Sequence, residues 1–319
     1  MKVFIAGGTG FIGHALIHTL LAQGHQATAL ARNPEKMREF AVSLRVIPGS
    51  PSRPGPWQQE VPGHDVVVNL TGANIFTRWT AEAKKLILES RVAATRNIVA
   101  ALPEQADSPL TLINGSASGY YGFSGDEEKY ETDPPGSDFL ATVCQAWEKE
   151  AASARSRARV ITLRTGVVLG RNGGALAKML PAFRLGVAGR LGSGRQWFPW
   201  IHQEDLCRAL LFLMENQDIQ GPINLCSPQP VRNAEFTAIL GKVLHRPTVL
   251  PLPAFAARLA LGELATVVLE GCRMMPGVLR DHGFAFRFPG LEEALRDLLA
   301  AEDRRDVSPI TGRAERKIP

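Results

Sequence analysis

The chain is poor in cysteine, in net charge and in long apolar runs, and each shortage excludes a class of protein. Its four cysteines, Cys144, Cys207, Cys226 and Cys272, lie far apart and include no Cys-x-x-Cys pair. This spacing argues against a disulfide framework and against a structural zinc site. No histidine cluster with metal-ligand spacing stands out either, so we expect reduced thiols and no bound metal.

Neither nucleic acid nor a membrane is expected as a partner. The net charge is only +5 over 319 residues, and the basic residues are spread along the chain, with a mild cluster near the C-terminus. No apolar stretch reaches the length of about 20 residues that crosses a bilayer. The first residues lead directly into a strand-like run, which argues against a signal peptide. We therefore expect a cytoplasmic protein with a small-molecule ligand, and a homodimer is one assembly that the sequence leaves open.

Strand-like apolar runs alternate with helix-like segments over the first half of the chain. This alternation predicts βαβ units and an α/β fold with a doubly wound parallel sheet. One long helix is predicted over Ala81 to Leu102 from its helical apolar spacing. The predicted strands are Val3 to Ala6, Ala27 to Ala31, Leu44 to Ile47, Asp65 to Leu70, Leu110 to Asn114 and Val160 to Arg164.

A glycine-rich loop follows the first predicted strand and precedes a predicted helix. Gly7 supplies a tight turn, Gly10 lets a pyrophosphate approach the backbone, and Gly13 lets the helix pack close to the strand. The start of the helix then offers free N–H groups to an anion. Glycine-rich loops also form plain turns, but this position favours a dinucleotide site. The loop residues assigned to cofactor binding are Gly7, Thr9, Gly10, Phe11, Ile12 and Gly13.

The residue after the second predicted strand indicates which dinucleotide is bound. An acidic residue there would accept the ribose 2′-OH of NAD, but Arg32 occupies the position. A guanidinium offers charge-assisted hydrogen bonds to a 2′-phosphate, so NADP(H) is favoured over NAD. The alternative is that Arg32 is only a solvated residue before Asn33 and Pro34.

Two further strand ends carry candidate site residues, because ligands of such sheets collect at the carboxyl ends of the strands. Leu70, Thr71 and Gly72 follow the fourth predicted strand and are assigned to the cofactor, with Thr71 as a helix cap the alternative. Ser116 follows the fifth and is assigned to both cofactor binding and catalysis. A plain serine-rich turn is the alternative there.

The order of the motifs resembles the atypical short-chain dehydrogenase/reductases of the epimerase family, which are related to NAD-dependent epimerase/dehydratases. The resemblance implies a Rossmann-type NADP-binding domain over 1–225, with an excursion to the cleft over 171–200. It further implies a small C-terminal substrate lobe over 226–300, and 301–319 is expected to be a mobile tail. The motifs that carry the resemblance are the glycine loop, 116–122, 164–170, 173–175, 192–206, 252–255, 269–271 and 283–295.

The chain departs from that superfamily where proton transfer is concerned. Active members carry a Tyr-x-x-x-Lys pair in which lysine lowers the pKa of tyrosine. Leu140 and Cys144 stand about where these two residues would fall. We therefore assign the catalytic role to Ser116 and Tyr121, although Tyr121 as an aromatic wall of the pocket is an equal alternative.

A substrate pocket is implied by the glycine-rich segment that resembles the family's substrate-contacting region. Its substrate-binding candidates are Arg195, Trp197, Trp200 and His202, and they imply a polar or anionic ligand. A structural role for His202, beside Asp205 as an acid in the first turn of a helix, is the favoured alternative to acid/base chemistry. Arg164 and Lys178 are further candidates for an anionic ligand.

The function expected from these features is that of an NADP(H)-dependent oxidoreductase or epimerase-like enzyme of unknown substrate. The alternative is a catalytically degenerate NADP(H)-binding protein that acts as a redox sensor or an interaction partner. The missing Tyr-x-x-x-Lys pair favours the alternative, whereas the elaborate segment from Arg195 to His202 favours an enzyme.

Overall fold

The computed structural model describes residues 1–40, 42–104, 110–171 and 173–300. The segment 301–319, predicted as a mobile tail, lies outside the described residues. The strands are β1 Lys2–Ala6, β2 Gln26–Ala31, β3 Leu44–Pro48, β4 Val66–Asn69, β5 Thr111–Ala117, β6 Glu128–Lys129, β7 Arg159–Thr165, β8 Val167–Gly170, β9 Trp197–Phe198, β10 Trp200–His202, β11 Gly221–Leu225, β12 Val231–Arg232 and β13 Arg273–Met274.

The α-helices are longest where they cover the sheet and short near the C-terminus. They are α1 Phe11–Ala22, α2 Ala81–Ala101, α3 Phe139–Ala152, α4 Gly174–Arg184, α5 Gln203–Glu215, α6 Asn233–Leu244, α7 Ala254–Leu261, α8 Ala265–Leu269, α9 Gly277–Asp281 and α10 Leu291–Ala300. Short 3-10 helices are η1 Pro34–Phe40, η2 Pro56–Glu60, η3 Ser118–Tyr121 and η4 Gly262–Leu264. None of the helices among the described residues is long and apolar enough to span a membrane.

A seven-stranded parallel sheet forms the centre of the fold, in the order β11-β7-β5-β4-β1-β2-β3. Its strands are nearly continuous apolar runs, as in Val66–Asn69, because both faces of a parallel sheet are covered. The strand order reverses between β1 and β4, which creates a crevice at their carboxyl ends. The predicted α/β, doubly wound fold is confirmed. The strand β11 was not predicted, because its run is short and contains Pro222.

Helices cover both faces of the sheet and enclose separate apolar clusters. On one face, α1 and α5 pack on residues such as Ile5 and Val68. On the other face, α2 and α3 pack together over a cluster that contains Phe4 and Ile98. The carboxyl edge of the sheet is therefore left for a ligand.

The C-terminal elements share a third apolar cluster with the segment that follows β8. Leu176 of α4, Trp200 of β10, Phe236 of α6 and Leu295 of α10 are all buried in it. The short strand β13 pairs in parallel with β6, which lies after β5 in the chain. These contacts hold the C-terminal elements and the segment before them beside the carboxyl edge of the sheet.

Candidate functional site

The glycine loop between β1 and α1 forms a tight turn at the switch point of the sheet. Gly7 has a φ of +93°, which side-chain-bearing residues rarely adopt. A Cβ on Gly13 would lie 2.3 Å from the carbonyl oxygen of Gly7, so this position admits no side chain. Gly10 differs from both, since its φ is −83° and a Cβ there would meet only the oxygen of Gly7, at 3.2 Å. The exposed side of Gly10 is therefore open to a ligand.

The first turn of α1 faces the same opening. Gly10 is the N-cap residue, and it provides no side chain that could occupy the free N–H groups of the first turn. Thr9 and Gly10 are exposed, whereas Phe11 and Ile12 are partly buried. An anion placed here receives backbone N–H donors and the positive end of the helix dipole.

Phe11 has a further structural role, because its ring packs against the turn that follows β8. A Cβ on Gly170 would lie 2.5 Å from the Phe11 ring, and one on Gly173 would lie 2.6 Å from it. Gln203 also donates its side-chain N–H to the Phe11 carbonyl, at 3.4 Å. These contacts position the segment after β8 directly against the glycine loop.

Arg32 is exposed at the carboxyl end of β2, which pairs with β1 along its whole length. The nearest acidic residue in the sequence, Glu35, forms an ion pair with Arg38. Arg32 thus presents a guanidinium beside the strand that leads into the glycine loop. The sequence from Leu30 to Pro34 places no carboxylate next to it.

The segment after β4 lies against the glycine loop. A Cβ on Gly7 would come within 2.9 Å of the Leu70 carbonyl carbon, so the two backbones are in close contact. Thr71 does not cap a helix, since its hydroxyl donates to Asn69 and α2 begins later, after the N-cap Thr80. Gly72 is exposed at the edge of the opening.

A buried polar network fixes the carboxyl ends of β4 and β5. The amide of Asn69 donates to Thr95 at 2.9 Å and to Asn114 at 2.7 Å. The indole N–H of Trp147 donates to the same Thr95 hydroxyl, also at 2.9 Å. Such satisfied networks hold the backbone in one arrangement, because breaking any one bond leaves buried polar atoms unpaired.

Arg91 of α2 is a cation at the site that the sequence analysis did not single out. It donates to the carbonyls of Ala73 and Ile87, at 3.2 and 2.9 Å, and its guanidinium lies 5.1 Å from the Trp147 ring. A Cβ on Gly72 would lie only 2.8 Å from the central carbon of this guanidinium, so Arg91 and Gly72 are in close contact. Burial lowers the pKa of Arg91. No local sequence signal identifies such a residue, because its position depends on how α2 crosses the loop.

Ser116 lies at the carboxyl end of β5 and is buried, with 6% of its surface exposed. Its hydroxyl donates to Glu148 of α3, with an oxygen-to-oxygen distance of 2.7 Å. Arg164 of β7 binds both carboxylate oxygens of Glu148, at 2.9 and 3.0 Å. Because the hydroxyl hydrogen is donated to Glu148, the Ser116 oxygen can act toward a further group only as an acceptor.

Tyr121 is part of the buried structure below this site. Its hydroxyl lies 2.7 Å from the side-chain oxygen of Asn224 and accepts a bond from Arg164 at 2.9 Å. Burial raises the pKa of Tyr121 well above its ordinary value. The prediction that Tyr121 is catalytic does not agree with these contacts, because the phenol is enclosed and its bonding capacity is used. Arg164, predicted as a ligand for an anion, is likewise buried in the ion pair with Glu148.

The face of α3 that points toward Ser116 carries Leu140, Cys144 and Glu148. A Cβ on Gly119 would lie 3.1 Å from the Cβ of Leu140, so this side chain packs against the turn after β5. Burial raises the pKa of Cys144 to about 11, and the thiol is therefore neutral near pH 7. Neither residue supplies a charge.

Arginine side chains surround Trp197 of β9, in the segment that the sequence assigns to the substrate, and this group is called the wall below. Trp197 lies between two guanidiniums, 4.5 Å from that of Arg232 and 5.0 Å from that of Arg273. Asp126 accepts bonds from Trp197 at 2.9 Å and from Arg232 at 2.7 Å. Arg195 is exposed in the same segment, and its carbonyl oxygen accepts a bond from Arg232. Two of the guanidiniums have carboxylate partners, since Arg232 pairs with Asp126 at 2.7 Å and Arg273 pairs with Glu128 at 3.0 Å.

The sequence analysis assigned Trp200 and His202 to the substrate pocket, but in the structure neither side chain lines the opening. Trp200 is 1% exposed within the third apolar cluster, so its ring is not available to a ligand. His202 caps α5, because its Nδ1 accepts the N–H of Glu204 at 3.1 Å. Asp205 is buried in the first turn of α5 and accepts the backbone N–H groups of Arg287 and Phe288. These residues anchor the C-terminal segment by packing and capping.

The structure brings together three side chains of metal-ligating type that the sequence analysis did not group. His14 and His18 stand one turn apart on α1, and Glu39 of η1 brings a carboxylate to them. The three donor atoms lie within 4.8 Å of one another. The sequence signal was present, since the histidines are separated by three residues, but the carboxylate comes from another element.

A doubly wound sheet with a glycine loop at its switch point defines a dinucleotide-binding α/β protein. Residues 3–226 match the model of the NAD dependent epimerase/dehydratase family, and residues 252–298 match a domain of unknown function, DUF1731. The chain belongs to the NAD dependent epimerase/dehydratase family. The resemblance stated from the sequence motifs is confirmed.

The similarity to known proteins extends over nearly the whole chain. An epimerase family protein SDR39U1 homolog, chloroplastic, of Arabidopsis thaliana is 41% identical over 94% of this chain and 87% of its own length. An epimerase family protein of Staphylococcus haemolyticus is 39% identical over 94% of this chain and 100% of its own length. The crystal structure of human SDR39U1 with NADPH has a TM-score of 0.81 at 34% identity, covering 94% of this chain and 99% of that one.

Proposed function

We propose that the protein binds NADP(H) and uses it in an oxidoreductase or epimerase-like reaction on a small polar or anionic molecule. The observation that carries the cofactor choice is Arg32, an exposed guanidinium at the end of β2, where NAD binding would favour an acidic residue. The similar human structure is one with NADPH, which supports the same choice.

The residues present fit such a cofactor. The exposed side of Gly10 and the first turn of α1 accept a diphosphate, and a Cβ at Gly10 would occupy that space. Arg32 is assigned to the 2′-phosphate, since bidentate guanidinium contacts suit a phosphate better than a hydroxyl. Leu70, Thr71 and Gly72 are assigned to the ribose side of the cofactor, and Ser116 to the nicotinamide side. The bound cofactor would supply or accept a hydride.

Proton handling is assigned to Ser116 and its partner Glu148, because Leu140 and Cys144 replace the tyrosine and lysine of active relatives. The Ser116 oxygen would accept a hydrogen bond from a substrate hydroxyl while its own O–H donates to the Glu148 carboxylate, with an oxygen-to-oxygen distance of 2.7 Å. This arrangement orients the substrate oxygen.

A substrate with a carboxylate or phosphate group fits the wall around Trp197 best. Arg195 is exposed there, and Arg232 and Arg273 flank Trp197. Guanidiniums recognise planar or tetrahedral anions through paired N–H donors. The flat ring of Trp197 adds an apolar surface for the body of the ligand.

A second function is favoured by a separate observation: the phenol of Tyr121 and the thiol of Cys144 are both buried. With neither group available for proton transfer, the chain would bind NADP(H) without turnover and act as a redox sensor or interaction partner. Loss of general acid/base assistance typically slows a reaction by 10²–10⁴-fold. This second function shares the same cofactor site.

A substrate screen separates the two functions. Aldehydes and ketones would be incubated with the protein and NADPH, and their reduction followed by the loss of NADPH absorbance. Anionic nucleotide sugars would be incubated with the protein and NADP+, the hydride acceptor that epimerisation needs, and epimerised sugar would be detected by chromatography. The enzyme proposal expects slow turnover of a substrate with an anionic group, reduced at least about tenfold in Ser116→Ala. Ser137→Ala is the matched control, since Ser137 is exposed outside the opening.

Two results would decide against catalysis by Ser116. Turnover that Ser116→Ala leaves unchanged would contradict its role. Complete absence of turnover, together with NADPH binding that depends on Arg32, would favour the second function.

A further inference from the structure

A cluster of metal-ligating side chains lies outside the opening described above. His18 lies one turn after His14 on α1, and the centroids of the two rings are 4.9 Å apart. Phe40 at the end of η1 is buried and packs against both rings, with centroid distances of 5.0 and 4.5 Å. The apolar contact with Phe40 therefore keeps both imidazoles on one side of the helix.

Glu39 supplies a carboxylate to this pair. Its Oε1 lies 2.5 Å from the Nε2 of His14, and one donor atom from each of the three residues falls within 4.8 Å of the others. The side chains of His14 and Glu39 are 36% and 53% exposed, so an ion can reach them from solvent. Two imidazole nitrogens and one carboxylate, with a fourth position left for water, form a ligand set typical of Zn²⁺.

We propose that His14, His18 and Glu39 bind a divalent transition-metal ion of the Zn²⁺ type and thereby fasten η1 to α1. An ordinary ion pair between His14 and Glu39 would not require His18, yet the second imidazole is held beside the first. Metal–ligand bonds of about 2.0–2.2 Å require donor atoms closer together than 4.8 Å, and half-exposed side chains can rotate to close that gap. Mg²⁺ and Ca²⁺ prefer all-oxygen sites and fit this set poorly.

The location gives the ion a structural consequence. The N-terminus of α1 carries the glycine loop, and η1 begins two residues after Arg32. An ion at this cluster joins the two segments on either side of the proposed phosphate-binding residues. The cluster itself includes none of those residues, so its test is independent of NADP(H) binding.

Isothermal titration of the tag-free full chain with Zn²⁺ tests the proposal. We expect one equivalent to bind and Mg²⁺ at the same concentration to give no binding heat. The single variants His14→Ala, His18→Ala and Glu39→Gln should each weaken Zn²⁺ binding at least about tenfold, since even supporting residues of metal sites cost 10–100-fold. His282→Ala, which removes an exposed histidine after α9, is the matched control and should bind Zn²⁺ like the parent chain.

Thermal melting without metal checks that each variant is folded, and melting with Zn²⁺ gives a second readout. Zn²⁺ should raise the Tm of the parent chain and of His282→Ala, and should raise that of the three cluster variants much less. No Zn²⁺ binding by the parent chain, equal binding by the His18→Ala variant, or equal weakening by His282→Ala would each overturn the proposal.

Discussion

The three glycines of the loop have different structural roles, although they are the same residue type. Gly13 is required by packing, because a Cβ there would overlap the Gly7 oxygen at 2.3 Å. Gly7 is required by its positive φ. Gly10 has an ordinary φ, but a Cβ there would lie 3.2 Å from the Gly7 oxygen, so packing favours a glycine at this position as well. Its exposed face is assigned to the diphosphate of the proposed cofactor.

Replacement of Gly10 by valine tests that assignment. We expect Gly10→Val to abolish NADPH binding while the protein remains folded, because the branched side chain occupies the space for the pyrophosphate. Fluorescence titration with NADPH and a circular dichroism spectrum measure the two effects. Gly290→Val is the control, since its Cβ would have no neighbour closer than 3.7 Å. Normal NADPH binding by Gly10→Val would refute the phosphate site.

Reversal of the charge at Arg32 tests the cofactor choice at one side chain. We expect Arg32→Glu to weaken NADPH binding by about 1.5–3 kcal/mol, roughly 10- to 150-fold, and to change NADH binding much less. The physical reason is the loss of a charge-assisted contact with the 2′-phosphate and the gain of repulsion. Arg155→Glu makes the same change in net charge at an exposed site elsewhere and should leave both affinities unaltered. Equal losses for the two nucleotides in Arg32→Glu would remove Arg32 from this role.

At the scale of elements, the sequence predicted the strands better than the contacts between helices and strands. The apolar runs predicted six strands of the central sheet, because a strand covered on both faces is apolar throughout. The helix α2 was predicted within one residue. Glu148 and Arg91 were missed, since each acts on a residue far away in sequence and its own helix carries no signal of that contact.

The same reason explains why two aromatic residues assigned to the site are buried in the structure. Tyr121 and Trp200 stand in motifs that resemble functional segments, and a motif states which residues are present but not which way they point. The structure encloses Tyr121 beside Asn224 and Arg164, and encloses Trp200 in the third apolar cluster. Burial depends on the packing of distant elements and is not readable from the local pattern.

The start of α5 gives a prediction for stability against pH. Burial is the main cause that lowers the pKa of His202, although Asp297, Asp205 and Glu204 act in the opposite direction. The folded chain therefore binds fewer protons than the unfolded chain once the pH falls below the ordinary histidine value of about 6.5. Stability should decline as the pH is lowered through this value.

The variant His202→Asn isolates that contribution, because asparagine is also a good N-cap residue and does not titrate. We expect its Tm to fall less than that of the parent chain between about pH 7.5 and pH 5.5. His64 has a pKa lowered by burial as well, so part of the decline should remain. A decline in His202→Asn equal to that of the parent chain would show that His202 is not responsible.

At the scale of the whole molecule, the cofactor loop and the C-terminal elements meet along one edge of the sheet. Phe11 packs against the glycine turn after β8, and the elements beyond that turn share an apolar cluster with α6 and α10. A ligand between Ser116 and Arg195 would therefore contact both parts. The homodimer stays a prediction, and sedimentation of the full chain would test it.

The most direct test of the account is the comparison of NADPH and NADH as ligands of the intact protein. Both would be titrated at equal ionic strength and followed by nucleotide fluorescence. We predict that NADPH binds more tightly by about tenfold or more, because one charge-assisted contact at Arg32 contributes about 1.5–3 kcal/mol. Equal affinities, or a preference for NADH, would contradict the central claim that this chain is built for NADP(H).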